Sequence, residues 1–200
     1  LKGPIATDLV EAVFTKTEGN PFFIAEMARH LVTSRAIVWN GRHWSYPDAF
    51  DRTAESESMT MDDILLAKIR ELPHKAQTLL QAAATCGHTF WAGLLESMLG
   101  YDPTSLLELL AERDIIFAQA RSRYRGEQEY AFKHYRVRRT VYRQNSGDGL
   151  KVYHAAVAAW LAEKGVQKLT DAAWIAYHSE RAGDHATQLI QLERLAIELY

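Results

Sequence analysis

The sequence predicts a mainly α chain with a small two-stranded wing in its middle and an antiparallel helix pair at its C-terminal end. Three observations carry this. Apolar residues recur at three- and four-residue spacing through most of the 200 residues, which is the period of one helical face. Two short apolar runs that suit strands, Ile115-Ile116-Phe117-Ala118 and Glu129-Tyr130-Ala131-Phe132, lie close together with a polar, basic stretch between them. The last two helical segments are separated only by Gly183-Asp184, a turn so tight that the helices must run antiparallel.

Taken in order, Ile5, Leu9, Val10, Val13 and Phe14 mark one face of a first helix, with Thr7-Asp8 as its cap. Glu18-Gly19-Asn20 breaks it and Asn20-Pro21 restarts it, since Asn favours the N-cap and Pro at the first helical position loses no needed hydrogen bond. The second helix is expected from Pro21 to Thr33, burying Phe23, Ile24, Met27, Ala28 and Leu31. Asn40-Gly41, flanked by Ile37-Val38-Trp39 and His43-Trp44-Ser45-Tyr46, is a hairpin signal. Asp48 to Ser58 is polar and acidic without periodic apolar positions, and reads as a linker.

A third helix is expected from Asp62 to Leu72, stopping before Pro73, and Asp62-Asp63 read as charges complementing its dipole. Lys75 to Cys86 is almost entirely apolar or small and predicts a buried helix ended by Gly87. Helices from Phe90 to Leu99 and from Thr104 to Arg113 follow. Three helices and then a two-stranded wing is the order of a winged helix, although periodicity alone does not separate it from another small α+β arrangement. After the break at Asn145-Ser146-Gly147-Asp148-Gly149, helices are expected over 150–164, 170–182 and 185–200. Ala172, Ala173, Ala176 and Ala186 are small enough for the last two to pack closely.

Composition narrows the class. Apolar residues make up 48% and charged residues 24%, with 11 glycines and 5 prolines, which excludes disorder and collagen-like structure. The net charge of −2 provides no global attraction for nucleic acid or an anionic membrane, so any such case must be local. No apolar run approaches the roughly 20 residues needed to cross a bilayer, and no basic-then-apolar leader pattern is present. The single cysteine, Cys86, sits in an apolar run and reads as an inert buried thiol, in agreement with a reducing, cytoplasmic setting.

Four stretches, taken together, resemble one family. They are Thr17-Glu18-Gly19-Asn20-Pro21-Phe22-Phe23-Ile24-Ala25-Glu26, then Leu72-Pro73 through Ala76-Gln77-Thr78-Leu79-Leu80-Gln81-Ala82-Ala83, then Phe132-Lys133-His134 with Val141-Tyr142, then His178-Ser179-Glu180-Arg181-Ala182-Gly183-Asp184. In this order the chain is similar to the C-terminal part of STAND-type, AAA-related signalling ATPases, as found in bacterial transcription activators and fused to cyclase or kinase domains. The resemblance implies a helical lid over 1–60, a winged-helix domain over 61–145 and the start of TPR-like helical repeats over 146–200. In the family these follow a P-loop domain. No Gly-x-x-x-x-Gly-Lys-Ser/Thr pattern occurs in these residues, so the expectation is a chain without catalytic residues that does not hydrolyse ATP alone. The chain opens at Leu1, and the reading is of a segment whose partner P-loop domain lies upstream and binds ATP or ADP.

The candidate contacts follow from the same resemblance. Gly19-Asn20-Pro21 matches the Gly-x-Pro loop by which the family's lid touches the adenine; read locally, it is an ordinary helix start. His134 stands where NOD-like relatives place a histidine on the β-phosphate, and its local reading is a histidine satisfied by backbone. Arg136 and Arg139 depart from the family pattern, which usually has an apolar and an acidic residue there.

The stretch from 121 to 143 carries a net charge of +6. Arg121, Arg123, Arg125, Arg138 and Arg139, interleaved with Tyr124, Tyr130 and Tyr135, form a candidate nucleic-acid surface, an interface to an acidic protein surface, or a solvated hairpin. The C-terminal helices are a candidate protein-docking scaffold. His178 and His185 read as helix-surface residues, and no metal-ligand spacing is present among the eight histidines.

Overall fold

The computed structural model describes residues 2–47, 60–145, 147–165 and 169–198; the expected linker and the last two residues of the helix expected over 185–200 lie outside them. Among the described residues ten helices and two small antiparallel sheets occur, so the chain is mainly α. It divides into two compact units, Leu1–Glu71 and Leu72–Tyr200.

In the first unit, the cap of α1 (Thr7–Thr17) falls one residue before the expected Thr7-Asp8. Ala6 is the N-cap, and Asp8 lies inside the first turn, where its charge favours the positive helix end. Glu18 and Gly19 both take positive φ, 52° and 74°, and reverse the chain into α2 (Pro21–Thr33). Hairpin β1 (Val38–Trp39) and β2 (Trp44–Ser45) pairs Trp39 with Trp44, and the Asn40 side chain closes the turn by accepting from the Arg42 and His43 amides.

Helix α3 (Met61–Arg70) begins with a reciprocal Thr60–Asp63 capping box and groups with the first unit, not with the winged helix where the sequence placed it. The reason is its contact with α2. Met61 and Ile64 join Met27 in one buried cluster, and Lys68 Nζ lies 2.8 Å from the buried carboxylate of Glu26, which also takes Arg29 at 2.8 Å.

In the second unit, α4 (His74–Cys86) is the buried helix its composition predicts; Leu79, Leu80, Ala82, Ala83 and Ala84 are fully enclosed. It is followed by a strand, β3 (Thr89–Trp91), at the place where a helix was expected to start at Phe90. Thr89, Phe90 and Trp91 are β-branched or aromatic and pair with β5, and α5 (Ala92–Leu99) begins only after them.

Then come α6 (Thr104–Glu112), β4 (Ile116–Ala118), β5 (Glu129–Phe132) and α7 (Tyr135–Gln144). The sheet order β3-β5-β4, with helix–strand–helix–helix–strand–strand along the chain, is the winged-helix arrangement with a third strand beyond the two expected.

Helices α8 (Asp148–Lys164), α9 (Leu169–Ala182) and α10 (His185–Glu198) complete the unit. α8 packs on α4 and α5, so residues 146–200 share a unit with the winged helix and are not separate from it. Of the four alanines expected to seal the last helix pair, Ala172 and Ala176 are buried, whereas Ala173 and Ala186 face solvent.

Candidate functional site

The loop at Gly19-Asn20-Pro21 is built by three local choices. Gly19 takes the left-handed conformation, and an added Cβ would lie 2.9 Å from the Phe14 ring. Asn20 is extended, and its Oδ1 accepts from the Phe22 amide at 3.1 Å. Pro21 occupies the first helical position and is exposed. The ring of a loop proline is thus presented outward on a rigid base. Because positive φ and the Phe14 contact both exclude a side chain, Gly19→Ala is expected to cost about 1–2 kcal/mol, read as a lowered urea midpoint. Phe14 is itself exposed and can yield, which keeps the figure modest.

His134 is the N-cap of α7. Its backbone is extended, and its carbonyl accepts from the Val137 and Arg138 amides; its side chain makes no cap bond to the helix and is half-buried. It belongs to the second unit and Gly19–Pro21 to the first.

The basic stretch separates into different environments. Arg121 and Arg125 are exposed. Arg123 is turned inward: its Nη2 lies 2.9 Å from the Asp171 carboxylate on α9, it bonds Thr170, and its guanidinium sits 5.0 Å from the Trp174 ring centroid. Arg138 donates from Nε to the Ala84 carbonyl at 2.8 Å and stacks on Tyr142. Arg139 is half-buried, with an Nε that finds no hydrogen-bond partner among the described residues.

Tyr124, read as a surface tyrosine, is buried in an aromatic cluster. Its ring lies 4.9 Å from Trp91 and 5.3 Å from Trp160, with Trp91 stacked on Trp160 at 5.3 Å. Burial, and then the Asp171 charge beside it, push the Tyr124 hydroxyl up to about 12. Tyr130 stacks on Phe90, which leaves Tyr135 as the exposed member of the three.

On the winged helix, α6 is the second helix of the helix-turn-helix pair, the one that enters the groove in DNA readers. Its solvent face carries Thr104, Ser105, Glu108 and Glu112 and no basic residue. Acidic side chains there repel phosphate.

One constellation escaped the sequence reading. His178, read as a surface residue, is 3% exposed, and His154 is 1% exposed. Their Nδ1 atoms are 2.7 Å apart, and His154 Nε2 is 3.0 Å from the Tyr142 hydroxyl. Burial, with Arg181 and Arg138 nearby, lowers His154 to about 4. Burial and the His154 ring lower His178 to about 3, opposed by a bond to the Cys86 carbonyl. His185, by contrast, lies at the surface.

Cys86 itself is buried, bonds the Ala82 carbonyl, and has its thiol pushed up to about 12 by burial, so it is inert as a nucleophile at neutral pH. Among the described residues no group of three or more His, Cys, Asp or Glu is placed to hold a metal ion, and no helix is long and apolar enough to cross a membrane. Comparisons with family models, with curated proteins and with solved structures found no match to this chain.

Proposed function

We propose that this chain is the regulatory, nucleotide-state-sensing arm of a STAND-type signalling ATPase, acting with a P-loop domain of the same parent chain and carrying no catalysis of its own. The observation that carries the reading is the character of the winged helix. Its α6 face is acidic, and its wing arginine Arg123 is engaged by Asp171 of the following helices, which suits a module that packs against protein more than one that reads phosphates. Pro21, rigid and outward on a capped helix start, suits packing against a flat base, and an imidazole N–H at His134 suits donation to a phosphate. ADP held by the P-loop domain and touching either residue favours one packing of the parent, and exchange for ATP releases it.

The test is ADP affinity of the parent chain by calorimetry. Since a hydrogen bond to a charged group contributes about 1.5–3 kcal/mol, His134→Ala is expected to weaken ADP roughly ten- to hundredfold and raise basal activity. Pro21→Ala is expected to weaken it by less, because only ring packing is lost. Unchanged affinity and basal activity in both variants refute the reading. Salt-sensitive binding of a duplex by the isolated chain, seen by anisotropy, would favour a winged-helix nucleic-acid module instead.

A further inference from the structure

The buried histidines stand where four helices meet. His154 comes from α8, His178 from α9, Tyr142 from α7, and the carbonyl that takes the outer end of the chain is that of Cys86, the last residue of α4. The hydrogen-bond inventory fixes its direction. The Cys86 carbonyl can only accept, so His178 donates to it through one ring nitrogen and presents Nδ1 as the acceptor. His154 must then donate from Nδ1 and accept at Nε2, which leaves the Tyr142 hydroxyl as donor. Every polar atom of the two neutral rings is satisfied in single file.

A proton added to His154 displaces the Tyr142 hydrogen. Protonated at Nε2, His154 can keep its geometry only if Tyr142 turns that hydrogen to Tyr177, its other hydrogen-bond partner, and the new charge then faces cations. Arg138 of α7 stacks on Tyr142 at 4.7 Å, Arg181 of α9 stacks on Tyr177 at 4.8 Å, and Lys151 of α8 lines the same pocket as His154. The carboxylate of Asp148 is on that pocket too, but its side chain is almost wholly in water and pairs with Lys151 at 3.5 Å. Protonating His178 as well sets two N–H groups against each other across 2.7 Å. The proton has a way in: His154 lines a pocket open to solvent together with Gly147, Asp148, Leu150, Lys151 and Arg181.

We propose that the Tyr142–His154–His178 chain is an acid-operated latch, which in its neutral form holds the α8–α9 pair on the winged-helix core and on protonation lets that pair loosen. The latch is a property of the second unit alone and does not depend on the nucleotide-sensing reading. The sign follows from the two lowered histidines: in the loosened state each ring returns toward its ordinary 6.5, so that state takes up protons the closed state refuses. The closed packing is at full strength above pH 6.5 and weakens as the pH falls from there toward about 3, the lower of the two values.

Amide exchange of the full chain, corrected for the intrinsic pH dependence of exchange, tests this. Opening of α8 and α9 is expected to increase about tenfold per pH unit for each histidine below 6.5, while α4 keeps its protection. In a His154→Gln, His178→Gln double variant the pH dependence should vanish.

Nitrogen-15 shifts of the native rings provide the second readout, independent of whether the variant folds. They should show His154 protonated at Nδ1 and His178 at Nε2 at neutral pH, with neither titrating near 6.5. Rings that titrate near 6.5, the opposite tautomers, or exchange of α8 and α9 that keeps pace with α4 would each overturn the proposal.

Discussion

Replacing Trp91 with alanine is expected to remove about 3–5 kcal/mol of stability, the usual cost of deleting a large aromatic from a packed core. Trp91 is 1% exposed and sits between two parts of the second unit. On one side it belongs to β3 and donates from Nε1 to Glu129 of β5 at 3.1 Å; on the other it stacks on Trp160 of α8 and meets Trp174 of α9 at 6.1 Å. Alanine leaves a cavity bounded by rigid rings that cannot collapse into it, so the loss belongs at the upper end of that range. Urea denaturation followed by far-UV signal measures it. A loss under about 1.5 kcal/mol would mean that the sheet and the helix pair are not joined through this ring.

Asp171→Ala is expected to cost about 2–3 kcal/mol. Breaking a fully buried ion pair typically costs about 3–5 kcal/mol, because the surviving charge is left stranded. Here Asp171 is fully enclosed, but the Arg123 side chain keeps 25% exposure and retains Thr170 and the face of Trp174, so part of its charge is relieved by water. Tyr124 supplies an independent readout. With Asp171 gone its hydroxyl should titrate below its present value of about 12, yet stay above 10 because burial is the larger cause. Absorbance at alkaline pH follows this directly. If the tyrosine titration does not move, the Asp171 carboxylate is not facing that ring.

These two sites also mark where sequence reasoning reached its limit. The start of α2 was legible because its causes are neighbours: Asn20 caps, Pro21 fits the first turn, and Gly19 supplies the reversal, all within three positions. The buried character of α4 was legible because nearly every residue in it is apolar or small.

Strand β3 was not, because three residues are too few to show a period, and its partner β5 lies far along the chain. Phe90 and Trp91, read by themselves, continue equally well into the apolar helix that follows. The basic stretch was visible as charge, but not the direction of each side chain: Arg123 differs from Arg121 and Arg125 through an aspartate near position 171, beyond any local pattern. His178 was misjudged because a polar residue near a helix end normally faces water. Its burial depends on α8 bringing His154 against it.

The aromatic cluster also has a consequence during synthesis. The winged helix supplies Trp91 and Tyr124, but the rings that cover them, Trp160 and Trp174, belong to helices made later. At roughly 5–20 residues per second, those helices leave the ribosome several seconds after β3 does. Throughout that interval the nascent winged helix presents an uncovered aromatic face, and a chain stopped after residue 145 keeps it permanently. The helix pair thus seals an aromatic surface that the winged helix's own residues leave open.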